Sequence, residues 1–119
     1  QIQVHIDRTQ LIRIINNLVK NAIQAIPENQ ENKNIEIKLF TKENLIYIQV
    51  TDNGKGIEPQ YAERIFEPKF TTKSSGMGLG LGIIKNIIEN YNGTISFTSV
   101  LNEGTTFTLT LPKSENYES

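Results

Sequence analysis

The chain has 119 residues, of which 37% are hydrophobic and 21% are charged, and its formal net charge is -1. These values predict one globular domain with a single core, and the near-neutral charge argues against binding to nucleic acid or to a membrane surface. The absence of cysteine excludes disulfides and cysteine metal sites, and no apolar run approaches the roughly 20 residues of a membrane helix. Because the chain begins with Gln1 rather than Met, we expect it to be a piece of a longer protein.

The first half of the chain predicts a short strand, a helix and a hairpin. Residues 2–6 alternate weakly and indicate a strand, and Asp7 is a predicted helix N-cap with Gln10 placed for a capping box. Residues 35–40 and 45–52 indicate the two strands of an antiparallel hairpin, and the first strand has the pattern of a half-buried one. The apolar stripe of the helix, with spacings of three and four, consists of Leu11, Ile14, Ile15, Leu18, Ala22, Ala25 and Ile26.

The second half predicts a short helix over 58–65, a long loop over 66–78, a helix from Leu79 to Asn92-Gly93, and strands over 94–100 and 105–111. Residues 1–113 would form the domain and 114–119 a flexible tail. The sum is an α+β fold. We expect a two-layer α/β sandwich, in which about three helices cover one face of a mixed, mostly antiparallel sheet of about five strands.

The stretch Asp-Asn-Gly-Lys-Gly-Ile at 52–57 directly follows the strand 45–52. By the period of two, Asp52 shares a face with the apolar residues of that strand, so a carboxylate would lie at the rim of an apolar pocket. A buried charge needs partners, and the amino group of a ligand would be one. Gly54 and Gly56 permit a positive φ and the close approach of a flat ligand. An ordinary hairpin turn remains the alternative interpretation.

Three further polar positions border the predicted core. Asn17 and Asn21 lie four residues apart and hence on one face of the first helix, beside its apolar stripe. An amide oxygen is a hard, neutral ligand that suits Mg²⁺, although asparagines on a helix surface are the simpler explanation. On the last strand, Thr105 places a hydroxyl on the core face near the rim.

Alternate glycines in the stretch 75–82 precede and enter the start of a helix. Backbone N–H groups at such a helix N-terminus can bind an anion, and a glycine-rich hinge is an equally good interpretation. The spacing matches neither the Walker A motif nor the dinucleotide fingerprint. Lys69 and Lys73 could meet phosphate charge, although solvent-exposed lysine is the commoner case. The single histidine, His5, is interpreted as structural.

With these stretches assembled, the chain resembles the catalytic ATP-binding domain of sensor histidine kinases, in the group shared with gyrase, Hsp90 and MutL ATPases. Residues 17–22 resemble its N box, 52–57 its G1 box, 66–73 its F box and 76–82 its G2 box, and 103–107 resemble its closing glycine-threonine strand. The resemblance covers essentially the whole chain and implies the Bergerat ATP-binding fold. The Asn-Ala-Ile-Gln-Ala and Phe-Thr-Thr-Lys segments are most similar to the nitrogen-regulation type.

The resemblance implies ATP and Mg²⁺ as ligands. Asp52 would accept a hydrogen bond from the adenine amino group, Gly56 would let the base approach, and Thr105 would support the base through water. Asn21 would coordinate Mg²⁺ with Asn17 beside it, and these two are the implied catalytic positions. The resemblance also implies a lid that starts near Phe66, and most of the other implied nucleotide contacts lie in it. These contacts are Lys20, Gly54, Ile57, Phe66, Thr72, Lys73, Gly76, Met77, Gly78, Leu79, Gly80 and Leu81.

The sequence departs from the family pattern at two positions, and a third position distinguishes it from the hydrolytic members of the wider group. Gln24 stands where many relatives have a basic residue, so that Lys20, Lys69 or Lys73 would have to meet the phosphates. The F box contains Pro-Lys-Phe where Pro-Phe-Phe is frequent. Asn17 stands where the hydrolytic members have a glutamate that orients water. Because transfer to a protein side chain needs no activated water, we predict a kinase rather than an ATP hydrolase.

The resemblance also implies the partners. The acceptor histidine of the family lies in a separate helical dimerisation domain, and through it a response regulator is reached. We therefore expect a monomeric cytoplasmic domain that binds Mg-ATP and does not phosphorylate itself. Two alternatives remain at this point. One is a serine protein kinase of the anti-sigma-factor type, and the other is a non-catalytic nucleotide-binding module.

Overall fold

The computed structural model describes residues 6–67 and 80–113, and these form helices on one face of an antiparallel sheet. The order of the strands across the sheet is β1-β2-β4-β3, and each neighbouring pair is antiparallel. The elements are α1 Arg8–Ala25, β1 Ile35–Lys42, β2 Leu45–Asp52, a 3₁₀ helix Pro59–Tyr61, α2 Leu81–Asn90, β3 Thr94–Val100 and β4 Gly104–Pro112. The predicted two-layer α+β sandwich is confirmed.

Helix α1 begins where the sequence predicts. The side chain of Asp7 accepts a hydrogen bond from the backbone N–H of Thr9 at 3.3 Å, which confirms the N-cap. The predicted capping box is wrong, because the side chain of Gln10 instead accepts a hydrogen bond from the Tyr91 hydroxyl at 3.0 Å. The helix ends at Ala25, and the extended conformation of Ile26 fits the residue before a proline.

One hydrophobic core lies between the helices and the sheet. The strand β2 alternates strictly between buried and half-buried residues, and β4 does the same from Thr105 onward. Asp52 ends the buried face of β2, and Thr105 begins that of β4. The buried apolar residues of this core are Ile14, Leu18, Ala22, Ile46, Ile48, Val50, Ile65, Ile84, Ile88, Ile95, Phe107, Leu109 and Leu111.

Some expected elements differ in the structure. The described residues contain four strands, all antiparallel, and two α-helices rather than about five strands and three helices. The predicted helix over 58–65 is a three-residue 3₁₀ helix followed by turns, whose hydrogen bonds, such as Ala62 N–H to the Pro59 carbonyl at 3.1 Å, span three residues. The second helix begins at Leu81, two residues after the predicted start. Most of the first predicted strand, residues 68–79 of the loop and the tail over 114–119 lie outside the described residues.

The prediction that β1 is half-buried is wrong. Ile37 and Leu39 point to the same face of the sheet as the buried residues of β2, yet 52% and 59% of their surface is exposed. Helix α1 contacts β2 more than any other strand, and among the residues of β1 only Ile35 packs against the core. No helix among the described residues is both long and apolar enough to cross a membrane.

Candidate functional site

Asp52 is a buried carboxylate at the end of the central strand β2. It is 6% exposed and pairs with Thr105 of β4. Burial raises the pKa of Asp52 above its usual value of 3.8, while hydrogen bonds from the backbone N–H groups of Gly54 and Thr105 act in the opposite direction. The Gly54 bond is 2.8 Å long. A carboxylate has about four lone-pair positions, so Asp52 can accept further hydrogen bonds from a ligand.

The glycine turn after Asp52 is held between α1 and the β3–β4 loop. A Cβ atom on Gly54 would lie 2.3 Å from the carbonyl oxygen of Ala25, the last residue of α1. The next backbone N–H, of Lys55, donates to that same oxygen at 2.9 Å, and the Lys55 carbonyl accepts from Asn102 N–H at 2.7 Å. The predicted positive φ occurs at Gly56, where it is +80°. Gly54 thus makes room for α1, whereas the sequence argument assigned that space to a ligand.

Asn53 connects the glycine turn to the loop between α1 and β1, a role that the sequence argument missed. Its side-chain oxygen accepts from Asn34 N–H at 2.9 Å, and its side-chain N–H₂ donates to the Asn32 carbonyl at 2.8 Å. The side chain of Gln30 donates to the Asn53 carbonyl at 2.9 Å. The Asp-Asn-Gly sequence signals a turn, but these partners lie about 20 residues away and could not be inferred from it.

Ser99, on β3, is a second residue that the sequence argument missed. It lies opposite Thr105 in the sheet, and the two hydroxyl oxygens are 2.9 Å apart. The backbone N–H of Ile57 donates to the Ser99 hydroxyl at 2.8 Å, which places Ile57 beside the same group. The structure thereby gathers Asp52, the glycine turn, Ile57 and Thr105 at one end of the sheet.

The polar positions of α1 approach this site from the side. Asn21 is half-buried and precedes Ala25, which contacts the glycine turn, by one helical turn, or about 6 Å along the axis. Asn17 lies one turn further away, and its side-chain N–H₂ donates to the Arg13 carbonyl at 2.7 Å. Lys20 is exposed and lies about 160° around the helix from the buried Leu18.

The amide oxygens near this site suit Mg²⁺, which needs few protein ligands, better than they suit a metal ion that is coordinated by protein side chains alone. Among the described residues, no cluster of three or more histidine, cysteine, aspartate or glutamate residues could hold a metal ion. Amide oxygens of Asn21 and Asn17 are hard oxygen ligands. Mg²⁺ commonly uses one or two protein ligands and takes the rest from water and from substrate phosphates.

The N-terminus of α2 is the part of the predicted phosphate loop that the structure describes. Gly80 is its N-cap residue and provides no side-chain cap, and a Cβ atom there would meet no atom of residues 6–67 or 80–113 within 4 Å. Leu81, the first helical residue, is half-buried. Uncapped N–H groups at a helix N-terminus attract anions. The remaining predicted loop contacts, which lie outside the described residues, are Lys69, Thr72, Lys73, Gly76, Met77, Gly78 and Leu79.

Phe66 holds the beginning of that loop against the sheet. Its ring centroid lies 6.0 Å from that of Phe97 on β3, which in turn lies 5.8 Å from that of Phe107 on β4. Aromatic pairs at this spacing contribute beyond the area they bury. The loop therefore starts from a fixed point over β3, on the same side of the sheet as Asp52.

The comparisons with known proteins agree with this geometry. The family described as "Histidine kinase-, DNA gyrase B-, and HSP90-like ATPase" matches residues 6–115. Sensor histidine kinase ZraS of Salmonella typhimurium is 43% identical over 110 residues, which are 92% of this chain and 23% of that protein. Sporulation kinase B of Bacillus subtilis is 40% identical over 106 residues, or 89% of this chain and 24% of that protein. The chain thus spans less than a quarter of the length of these relatives.

Solved structures give the same result. A nucleotide-free form of the catalytic domain of histidine kinase ThkA matches with a TM-score of 0.79 and 38% identity, over 92% of this chain and 70% of that one. The mycobacterial sensor histidine kinase MprB matches with a TM-score of 0.78 and 26% identity, over 92% and 76% of the two chains. The chain therefore belongs to the family of histidine kinase-, gyrase B- and HSP90-like ATPases and, within it, to the catalytic ATP-binding domains of histidine kinases.

Proposed function

We propose that this domain binds Mg-ATP and donates the γ-phosphoryl group to a histidine on a separate dimerisation domain of a sensor histidine kinase. The observation that supports this most directly is the buried Asp52, a hydrogen-bond acceptor at the rim of an apolar core. Its position beside the glycine turn and Thr105 suits recognition of a flat base that carries an amino group.

The base is recognised by Asp52 and Thr105. The Asp52 carboxylate accepts a hydrogen bond from the adenine amino group, and its two backbone donors keep it in place to do so. Thr105 supports the base through its hydroxyl, with a water between them. Ile57 and the backbone of Gly56 form one side of the pocket, although the Cβ position of Gly56 is filled by the Val100 carbonyl and not by the base.

The phosphates extend from this pocket toward α1 and the N-terminus of α2. Asn21 is the residue that would hold Mg²⁺, with Asn17 beside it, and the ion when bound would neutralise the charge of the phosphates during transfer. The N–H groups that follow Gly80 face the phosphate oxygens, and the absence of a side chain at Gly80 lets the phosphates approach the backbone. Lys20, Lys69 and Lys73 are the candidates for a direct charge contact, and the exposure of Lys20 on the far side of α1 favours the other two.

Positioning and charge are sufficient for this reaction. Asn17 stands where a hydrolase has a water-orienting glutamate. The site can therefore transfer the γ-phosphoryl group to a protein side chain, but it lacks the group that would direct water to attack the γ-phosphorus.

The acceptor histidine and the response regulator lie on partner domains in this proposal, and the isolated domain is a cytoplasmic monomer. Membership of the nitrogen-regulation type remains a prediction. The names of the relatives, which are sensor and sporulation kinases, do not favour a serine kinase of the anti-sigma-factor type.

A phosphotransfer assay tests the proposal. The domain is mixed with ATP labelled at the γ-phosphate, with Mg²⁺ and with the separate dimerisation domain of the proposed sensor kinase. We expect label on the dimerisation domain that is lost in acid and kept in base, and none on this chain alone. The matched control is an acceptor domain with its histidine replaced by alanine. Acid-stable label on the partner, or phosphohistidine on this chain alone, would contradict the proposal.

A further inference from the structure

The Ser99 hydroxyl contacts the two segments that form the proposed base pocket, one at Ile57 and the other at Thr105. It lies 2.8 Å from the Ile57 backbone nitrogen, 2.9 Å from the Thr105 hydroxyl oxygen and 3.1 Å from the Gly104 carbonyl oxygen. Ile57 follows the glycine turn after β2, whereas Thr105 pairs with Asp52 on β4. Ser99 therefore contacts both segments that flank the Asp52 carboxylate.

The hydrogen-bonding capacity of a serine hydroxyl limits what these contacts can be. The group has one hydrogen and two lone pairs, and the Ile57 N–H occupies one lone pair. If the hydrogen goes to the Gly104 carbonyl, the second lone pair can accept the Thr105 hydrogen. If it goes to the Thr105 oxygen, the Thr105 hydrogen is free to turn toward a ligand. In both arrangements the Thr105 hydroxyl oxygen is hydrogen-bonded to Ser99, which restricts rotation of the Thr105 side chain about χ1.

We propose that Ser99 is a positioning residue for base recognition: it orients the Thr105 hydroxyl and fixes the Ile57 end of the glycine turn relative to it. This inference rests on the proposed nucleotide site. A Thr105 side chain that is already ordered avoids the entropy cost of ordering it when the base binds. Because Ser99 acts in part through Thr105, part of its effect on affinity depends on the Thr105 hydroxyl being present.

The test is calorimetric titration of ADP into the 119-residue chain and its variants. Ser99→Ala is expected to weaken ADP binding by about three- to tenfold, the range for loss of one neutral hydrogen bond. Ser99→Thr keeps the hydroxyl on a residue suited to a strand, and is expected to restore binding. Ser96→Ala is the matched control, because it makes the same change at an exposed position of the same strand, and is expected to bind as the parent chain does.

A double-mutant cycle with Thr105→Val separates positioning from a general structural effect. In the background of Thr105→Val, Ser99→Ala is expected to cause a smaller loss of affinity than in the unmutated chain, because only the Ile57 contact is left to remove. Thermal unfolding of each variant shows that it is folded, and Ser99→Cys replaces Ser99→Ala if the latter does not fold.

Three results would overturn the inference. One is unchanged ADP affinity in a folded Ser99→Ala or Ser99→Cys variant, and another is a loss that adds in full to that of Thr105→Val. The third is failure of Ser99→Thr to restore binding. Absence of ADP binding by the parent chain is a different outcome, since it would reject the proposed nucleotide site itself and this inference with it.

Discussion

Glycines at the two ends of the proposed site differ in what they make room for. In the turn after β2, the Cβ positions of Gly54 and Gly56 are filled by protein backbone, with the nearest oxygens at 2.3 and 2.6 Å. At the start of α2, the Cβ position of Gly80 meets no atom of the described residues within 4 Å. Packing among the residues that the structure describes requires the first pair and does not require Gly80. A glycine that packing does not require is better explained by the close approach of a ligand, and the predictions below test this difference.

The largest expected effect is that of Gly54→Ala. The added methyl would collide with the Ala25 carbonyl, a backbone atom that cannot move aside without shifting the end of α1. We expect the free energy of unfolding to fall by about 3 kcal/mol or more, at the upper end of overpacking changes. Denaturant unfolding measures it, and a loss below about 1 kcal/mol would show that the turn and α1 are less tightly joined than described.

Asn53→Ala should have the next largest effect. It removes the acceptor of Asn34 N–H and the donor to the Asn32 carbonyl, both of which lie in the loop beyond α1. We expect a loss of about 1–2 kcal/mol in the free energy of unfolding, as for two neutral hydrogen bonds between exposed groups. Asn29→Ala, an exposed asparagine of the same loop, is the matched control and should change stability little. Equal effects of the two changes would reject the role given to Asn53.

The pH dependence of stability should report the burial of Asp52. Its folded pKa is raised, so the folded state binds this proton more tightly than the unfolded chain does. The stability contributed by that protonation is present below the unfolded pKa and is lost as pH rises through the folded pKa. The unfolding free energy of the parent chain should therefore fall, relative to that of Asp52→Asn, over this window. A difference between the two chains that rises with pH would contradict the raised pKa.

The smallest expected effect on stability is that of Gly80→Ala. The methyl meets no described residue, and alanine is a poorer N-cap than glycine, so the unfolding free energy should fall by about 1 kcal/mol or less. ADP affinity should nevertheless fall, because the methyl enters the space proposed for the phosphates. Calorimetry and denaturant unfolding on the same variant measure the two effects. An unchanged affinity would remove the distinction between Gly80 and the glycines of the turn.

The sequence predicts those features that follow from periodicity along one element. The alternation of β2 and β4 put Asp52 and Thr105 on the core face near its rim, and the structure finds both side chains buried, at 6% and 5% exposed. The stripe of α1 likewise predicted the buried Ile14, Leu18 and Ala22. These positions depend on the geometry of a single strand or helix, which the order of residues determines.

Features that depend on two elements could not be predicted in this way. The alternation in β1 is as regular as that in β2, but Leu39 is exposed because, of the residues of this edge strand, only Ile35 packs against the core. Ser99 looks like any polar strand residue until the register places it opposite Thr105. Gly54 was interpreted as a ligand contact because its collision partner, the Ala25 carbonyl, lies on a separate helix. The register of two strands and the packing of a helix depend on residues far apart in the sequence, so no local sequence pattern predicts them.

The proposed nucleotide site depends on recognition of the base by Asp52. Calorimetric titration of ADP, with and without Mg²⁺, into the unmutated chain and Asp52→Asn measures this recognition, and Asp7→Asn is the matched control at the N-cap of α1. We expect the unmutated chain and the control to bind ADP, and Mg²⁺ to strengthen that binding. Asp52→Asn should lose at least about tenfold in affinity, as expected when a charged hydrogen-bond acceptor is replaced. Equal affinity of Asp52→Asn and the parent chain would contradict it.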